Sequence, residues 1–165
     1  MKDLAHLPDR AKKASDSTQK YFKKLKKNLP PDLDITMEVL HNEVFATIDC
    51  VSCANCCKTT SPVFTTKDIE RLARYFRLKP GQFISQYLHI DSENDYVLNV
   101  APCPFLAHDN TCIVYELRPQ ACREYPHTNR KKFHQILQLT IRNTYICPAL
   151  FQIIEKLKRL LPLSK

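Results

Sequence analysis

Glycine is almost missing from this chain: Gly81 is the only one in 165 residues, and tryptophan is absent altogether. Walker-type and Rossmann-type loops need several glycines so that backbone N–H groups can approach phosphate. Most nucleotide-binding readings are therefore excluded. Long apolar runs are missing too. Residues 1–27 are charged throughout, without a stretch of signal-peptide length, and no later segment reads as a membrane span. We therefore expect a cytoplasmic protein with no membrane span. The sequence also lacks paired carboxylates, a serine–histidine arrangement and a phosphate loop, so no catalytic residue is assigned and the balance leans away from an enzyme.

Cysteine, in contrast, is abundant, with eight residues. The chain is long enough for one domain with a real core, and its aliphatic and aromatic residues are plentiful. The cysteines are thus not compensating for a missing core, as they do in small secreted scaffolds. In a reducing compartment they point to metal ligation or redox chemistry rather than to structural disulfides.

Four of them fall within eight residues, as Cys50-Val-Ser-Cys53-Ala-Asn-Cys56-Cys57. A two-residue gap lets the chain turn and present both sulfurs to one ion, which is why CxxC pairs recur in zinc and iron–sulfur sites. Adjacent Cys56 and Cys57 are expected to point in different directions, which would suit two metals or a bridge between them. The other four are Cys103 in Pro-Cys-Pro, Cys112 near a polar turn, Cys122 between Arg118 and Arg123, and Cys147 before Pro148. Each is expected beside a turn or a helix start, where backbone N–H groups stabilise a thiolate. All eight, Cys50, Cys53, Cys56, Cys57, Cys103, Cys112, Cys122 and Cys147, are candidate metal ligands. Soft thiolates select zinc, cuprous copper or iron–sulfur clusters over magnesium or calcium. His127 and His134 are weaker candidates, since eight thiols already suffice for two closed sites.

These motifs carry a resemblance. The cluster from Cys50 to Cys57, Cys103-Pro104-Phe105-Leu106, Cys112-Ile113-Val114-Tyr115-Glu116, Arg118-Pro119, Cys122-Arg123-Glu124-Tyr125-Pro126 and Cys147-Pro148 occur in the order found in the CxxCxxCC cysteine-cluster proteins of the YkgJ type. The resemblance implies a zinc- or iron-chelating domain, the iron in a possible iron–sulfur cluster. That family also includes a much longer, cluster-containing flagellin lysine methylase, so an iron–sulfur enzyme of redox or group transfer is the alternative function. A zinc-stabilised interaction module is a third. Ala54 departs from the pattern, because many members have glycine there; the turn is then expected to do without positive φ.

The expected fold is mainly α with a small β-hairpin, a single compact domain whose cysteine-bearing loops surround a metal site. We divide it into a basic helical arm, 1–31, and a cysteine-cluster metal-binding domain, 32–165. The arm is distinct because residues 1–29 hold nine Lys/Arg against three Asp/Glu, giving +6 of the chain's net +8. Phe22, Leu25 and Leu29 share one of its faces, and Pro30-Pro31 end it. An acidic partner is its candidate ligand. Nucleic acid is disfavoured because neither interleaved aromatics nor a base-reading motif is present.

Helices are further expected over 32–47, from the Thr65/Asp68 cap onward, over 81–88, around Cys122, over 131–142, and from Pro148 with Cys147 as N-cap. A strand at 96–100 is expected to pair with 111–114 across His108-Asp109-Asn110. Asp91, Glu93 and Asp95 read as a solvated loop. Tyr115, Tyr125 and Phe105 read as core or as a hydrophobic shell around the metal.

Overall fold

The structure is a computed structural model, and it describes residues 4–162. In chain order the elements are α1 (Leu7–Lys27), α2 (Leu33–Phe45), α3 (Cys50–Cys53), α4 (Asn55–Thr59), α5 (Thr66–Tyr75) and α6 (Pro80–Tyr87). Strands β1 (Leu88–Ile90) and β2 (Tyr96–Leu98) follow, then a 3-10 turn at Tyr115–Leu117 and α7 (Gln120–Glu124). A second 3-10 turn, Phe133–Ile136, leads into α8 (Leu137–Thr144) and α9 (Pro148–Leu160). The mainly helical class with one small hairpin is thus the one expected.

By the density of their internal contacts the elements form two units, one from residues 1–49 and 126–165 and one from Cys50–Tyr125. The first is a helical unit. Its α9 buries Leu150, Ile153, Ile154 and Leu157 along one face and packs against α1, α2 and α8. That spacing repeats every three to four residues, which is what keeps one side of a helix in the core. Pro148 begins α9, where a missing N–H costs nothing, and the Cys147 Sγ accepts from the Leu150 N–H at 3.4 Å.

The basic helix α1 belongs to the same unit. It buries Leu7, Ala11, Tyr21, Phe22 and Leu25 and turns its lysines outward, while Leu29 lies beyond its end and is exposed. Burial pushes the Tyr21 phenol up to about 12, and its hydroxyl donates to the Leu161 carbonyl at 3.1 Å. His41 of α2 meets the fully buried Thr128 hydroxyl through Nδ1 at 2.6 Å and lies against the Phe45 ring. Desolvation lowers its pKa against the opposing pull of Glu38.

The second unit is centred on aromatic rings. Phe105 stacks on Phe76 with centroids 5.5 Å apart, and Phe83 stacks on Phe105 at 6.2 Å. Phe64, Ile69, Leu72, Leu88, Leu98 and Val114 complete this core. The expected Thr65 cap is present as a reciprocal capping box with Asp68.

The expected strand pairing is corrected. β2 pairs antiparallel with β1, Leu88 opposite Leu98, and the 111–114 segment instead meets its own upstream neighbour in a bridge between Leu106 and Cys112. Leu88 is buried at the end of α6, so the chain reverses immediately there through Asp91, whose carboxylate accepts from the Glu93 and Asp95 N–H groups. That turn is shorter than any connection from 100 to 111, and short connections pair first.

Candidate metal centre

The CxxCxxCC segment folds as two single helical turns broken at one residue. Cys50 and Cys53 are the ends of α3, and Cys56 and Cys57 lie in α4. Between them Ala54 adopts φ 46° and ψ 17°, the left-handed region, with only 2% of its surface exposed. The expectation that alanine would exclude positive φ is therefore corrected. The break is enforced from both sides: the Ala54 N–H closes α3 onto the Cys50 carbonyl at 2.8 Å, and its carbonyl accepts from Lys58 at 3.1 Å. A non-glycine residue in that region costs about 1 kcal/mol or more, and the two flanking hydrogen bonds offset it.

The break aims Cys56 and Cys57. Their Sγ atoms stand 4.0 Å apart, so the adjacent thiols face one another rather than diverging as expected. Hydrogen bonding from Cys56 is the main reason that the Cys57 thiol is lowered to about 7; burial opposes it, and the charges of Arg118 and Lys58 assist.

Three further thiols reach the same place from separate segments. The Cys103 N–H donates to the Cys57 carbonyl at 2.8 Å, tying the Pro-Cys-Pro loop to α4. From that loop, Ala107 and Ile113 bond to Thr111 and Phe105 around the polar turn, and this short ladder returns the chain to Cys112. Cys122 rides on α7, whose first turn closes from the Cys122 N–H to the Pro119 carbonyl at 3.0 Å.

The segment before α7 is held by a buried carboxylate. Asp68 accepts from the Thr65 N–H and hydroxyl, from Arg71 and from the Gln120 N–H at 3.2 Å. Arg71 in turn donates to the carbonyls of Leu117 and Arg118. Burial acts to raise the Asp68 carboxyl, but these donors outweigh it and hold its pKa below the usual value.

The four thiols lie within electrostatic range of one another. Burial pushes Cys103 up to about 11 and Cys122 up to about 12, and it raises Cys112 as well. Beyond burial, Cys57 raises each of the other three, Cys112 raises Cys103, and Cys103 and Cys112 both raise Cys122. Every pair among Cys57, Cys103, Cys112 and Cys122 thus interacts. Arg118 is the common counter-charge, lowering Cys57, Cys112 and Cys122. Its guanidinium lies 3.5 Å from the Tyr115 ring centroid, and Nε donates to the Tyr115 carbonyl at 2.7 Å.

The remaining cysteines are placed differently. Cys50 is exposed and Cys53 half-buried in α3, and Cys147 is buried in the helical unit as the cap of α9. None of the eight cysteines is in a disulfide. His134 also lies in the helical unit, in the 3-10 turn before α8. Of the expected shell residues, Phe105 is core, whereas Tyr115 is 46% exposed and serves as the platform for Arg118. Sequence reasoning missed the reach of Asp68: its cap role was visible, but its bond to Gln120 spans 52 positions and leaves no local signal.

Thiolate donors suit zinc and iron, and four of them match the number that closes a tetrahedral site. Among the described residues, no group of three or more His, Cys, Asp or Glu is arranged to hold an ion as it stands. Ligation therefore requires these side chains to rotate inward to bond lengths of about 2.3 Å for zinc. The donor set fits such a centre in chemistry and convergence.

Residues 49–141, over half of the chain, match a family model described as CxxCxxCC, "putative zinc- or iron-chelating domain". The chain belongs to the CxxCxxCC family. The match spans Cys50 to Cys122 and so includes every thiol of the converging set. No curated protein and no solved structure matches the chain significantly. No helix among the described residues is long and apolar enough to cross a membrane.

Proposed function

We propose that this CxxCxxCC protein chelates zinc or iron through Cys57, Cys103, Cys112 and Cys122, with Cys56 as the adjoining thiol. The observation that carries this reading is the tie from the Cys103 N–H to the Cys57 carbonyl, which brings the Pro-Cys-Pro loop beside the cluster, with the four thiols within electrostatic range of one another. Four half-buried thiols gathered in this way would repel one another once ionised, and a bound cation offsets that repulsion as it displaces their protons. Arg118 would balance part of the negative charge that four thiolates leave on such a centre. Cys50 and Cys53, on the outer turn, extend the donor set toward solvent.

Metal analysis and an ultraviolet–visible spectrum on protein purified without air test the reading. Near-stoichiometric zinc without visible absorption supports a closed thiolate site. Stoichiometric iron with broad visible absorption supports an iron–sulfur centre and makes redox or group transfer the next question. Neither metal, with eight titratable thiols and an intact fold, would sink the proposal. Serine at Cys57, Cys103, Cys112 or Cys122 should each lower metal content sharply.

A further inference from the structure

The helical unit carries a second feature that the metal reading does not use. The two longest stretches of this unit without Asp or Glu are residues 17–31, with five lysines, and residues 126–154, with Arg130, Lys131, Lys132 and Arg142. The fold brings them to the two sides of one cleft of about 290 Å³. Lys23, Lys26 and Gln19 of α1 form one wall, and His134, Gln135 and Gln138 form the other. Phe22 and Leu137, both buried, make the floor.

The positive charge of this cleft is uncompensated. Two lysines elsewhere in the unit are matched, Lys156 to Glu43 and Lys158 to Glu155. Among the described residues, no side-chain partner is found for Lys20, Lys23, Lys24, Lys26 or Lys27. The nearby carboxylate, Asp34, is already engaged by the backbone N–H groups of Lys132 and Phe133, at 2.6 and 3.0 Å.

We propose that this cleft between α1 and the Phe133–Thr144 segment binds an acidic, extended peptide of a partner protein, anchored by one apolar side chain. The lysines supply the counter-charge, and the floor of Phe22 and Leu137 receives the anchor. Gln19 already donates Nε2 to the Ser15 hydroxyl at 3.2 Å, so Gln135 and Gln138 are the carboxamides offered to a ligand. A glutamine offers both donors and an acceptor, which match the N–H and C=O groups of a peptide backbone. Phosphate offers acceptors only and would engage the carboxamide N–H groups alone. Phe22 lies under the cleft rather than projecting from it, so of the lining rings only the half-buried His134 imidazole is presented for a nucleobase to stack on.

Fluorescence anisotropy on the full chain, as purified with its metal, tests the proposal with three labelled probes. These are a short peptide alternating glutamate and leucine, the same peptide with glutamine for glutamate, and a single-stranded oligothymidylate. The acidic peptide should bind in a salt-sensitive way, about tenfold or more tighter than the glutamine control. The double variant Lys23→Glu/Lys26→Glu, at exposed positions, should lose that binding while retaining its helical circular dichroism. Gln135→Ala/Gln138→Ala should weaken the acidic peptide and leave any oligonucleotide binding unchanged. Failure of the acidic peptide to bind would overturn the proposal. So would oligothymidylate binding as tightly as the peptide, or peptide binding indifferent to the lysine reversal. None of these outcomes depends on which metal the other unit holds.

Discussion

Replacing Asp68 with alanine removes the N3 half of the α5 capping box, an acceptor for the Gln120 N–H and the carboxylate facing Arg71 in one step, while the Thr65 hydroxyl still caps the residue-68 N–H. Loss of that half of the box costs at most about 1 kcal/mol. An N–H left without its buried acceptor costs about 1 kcal/mol more, and the charge-assisted bond to Arg71 a similar amount. Arg71 is 28% exposed and can turn to water, so the arginine retains part of its solvation. We expect a total destabilisation of about 2–3 kcal/mol, allowing for overlap among bonds that share one carboxylate.

Urea unfolding followed by circular dichroism should show the midpoint falling by about 1–3 M. Asp68→Asn keeps one acceptor oxygen but turns an amide donor toward Arg71, and should fall between the two. Because Asp68 and Arg71 fix the segment leading to Cys122, the alanine variant should also hold metal more weakly. The acid dependence has a definite sign. The Asp68 pKa is depressed, so its contribution is fully present above the unfolded carboxylate value and is lost as pH falls through the folded one. A destabilisation below about 1 kcal/mol in Asp68→Ala would refute the claim that this network fixes the site.

Metal binding near neutral pH should release about three protons, because Cys103, Cys112 and Cys122 are held protonated while Cys57 is already partly thiolate. Calorimetry in buffers of different ionisation enthalpy measures that number, and release of one or none would contradict the assignment. Without metal, stability should fall above pH 9.0, where unfolded thiols ionise while Cys103 and Cys122, raised to about 11 and 12, remain protonated; alkaline thermal melts read this directly. Ala54→Gly should change stability by less than about 1 kcal/mol, since relief of the left-handed strain is offset by a lost buried methyl and a more flexible unfolded chain. Ala54→Val should be clearly destabilising in the same melts. Cys147→Ser keeps an acceptor for the Leu150 N–H and should leave melting nearly unchanged, whereas Cys147→Ala should cost about 1 kcal/mol.

The longer helices were legible because their signals are local, whereas the short turns α3 and α4 stand where cysteine-bearing loops were expected. Thr65 and Asp68 lie three residues apart, Pro148 and Cys147 are adjacent, and the apolar face of α9 repeats within thirteen residues. The β-hairpin partner was not. Leu88–Ile90 is three residues long and follows a helix without a break, so its pairing with β2 has no periodicity of its own. Ala54 misled for a different reason. Composition argues against positive φ at an alanine, but the hydrogen bonds that close the turns on both sides of it impose that conformation.

The sequence by itself determined the chemistry: eight thiols, their CxxCxxCC spacing, a lysine-rich first helix and a scarcity of glycine that leaves no phosphate loop. Tertiary structure alone decided which thiols come within electrostatic range of one another. Cys57, Cys103, Cys112 and Cys122 are separated by up to 65 positions, and no local rule distinguishes them from Cys50 or Cys147. They converge because the Cys103 N–H bonds to the Cys57 carbonyl, and because Asp68 and Arg71 hold the backbone that precedes Cys122. Such bonds join residues far apart in the chain. They depend on where a folded backbone leaves its donors and acceptors, which residue identity alone does not specify.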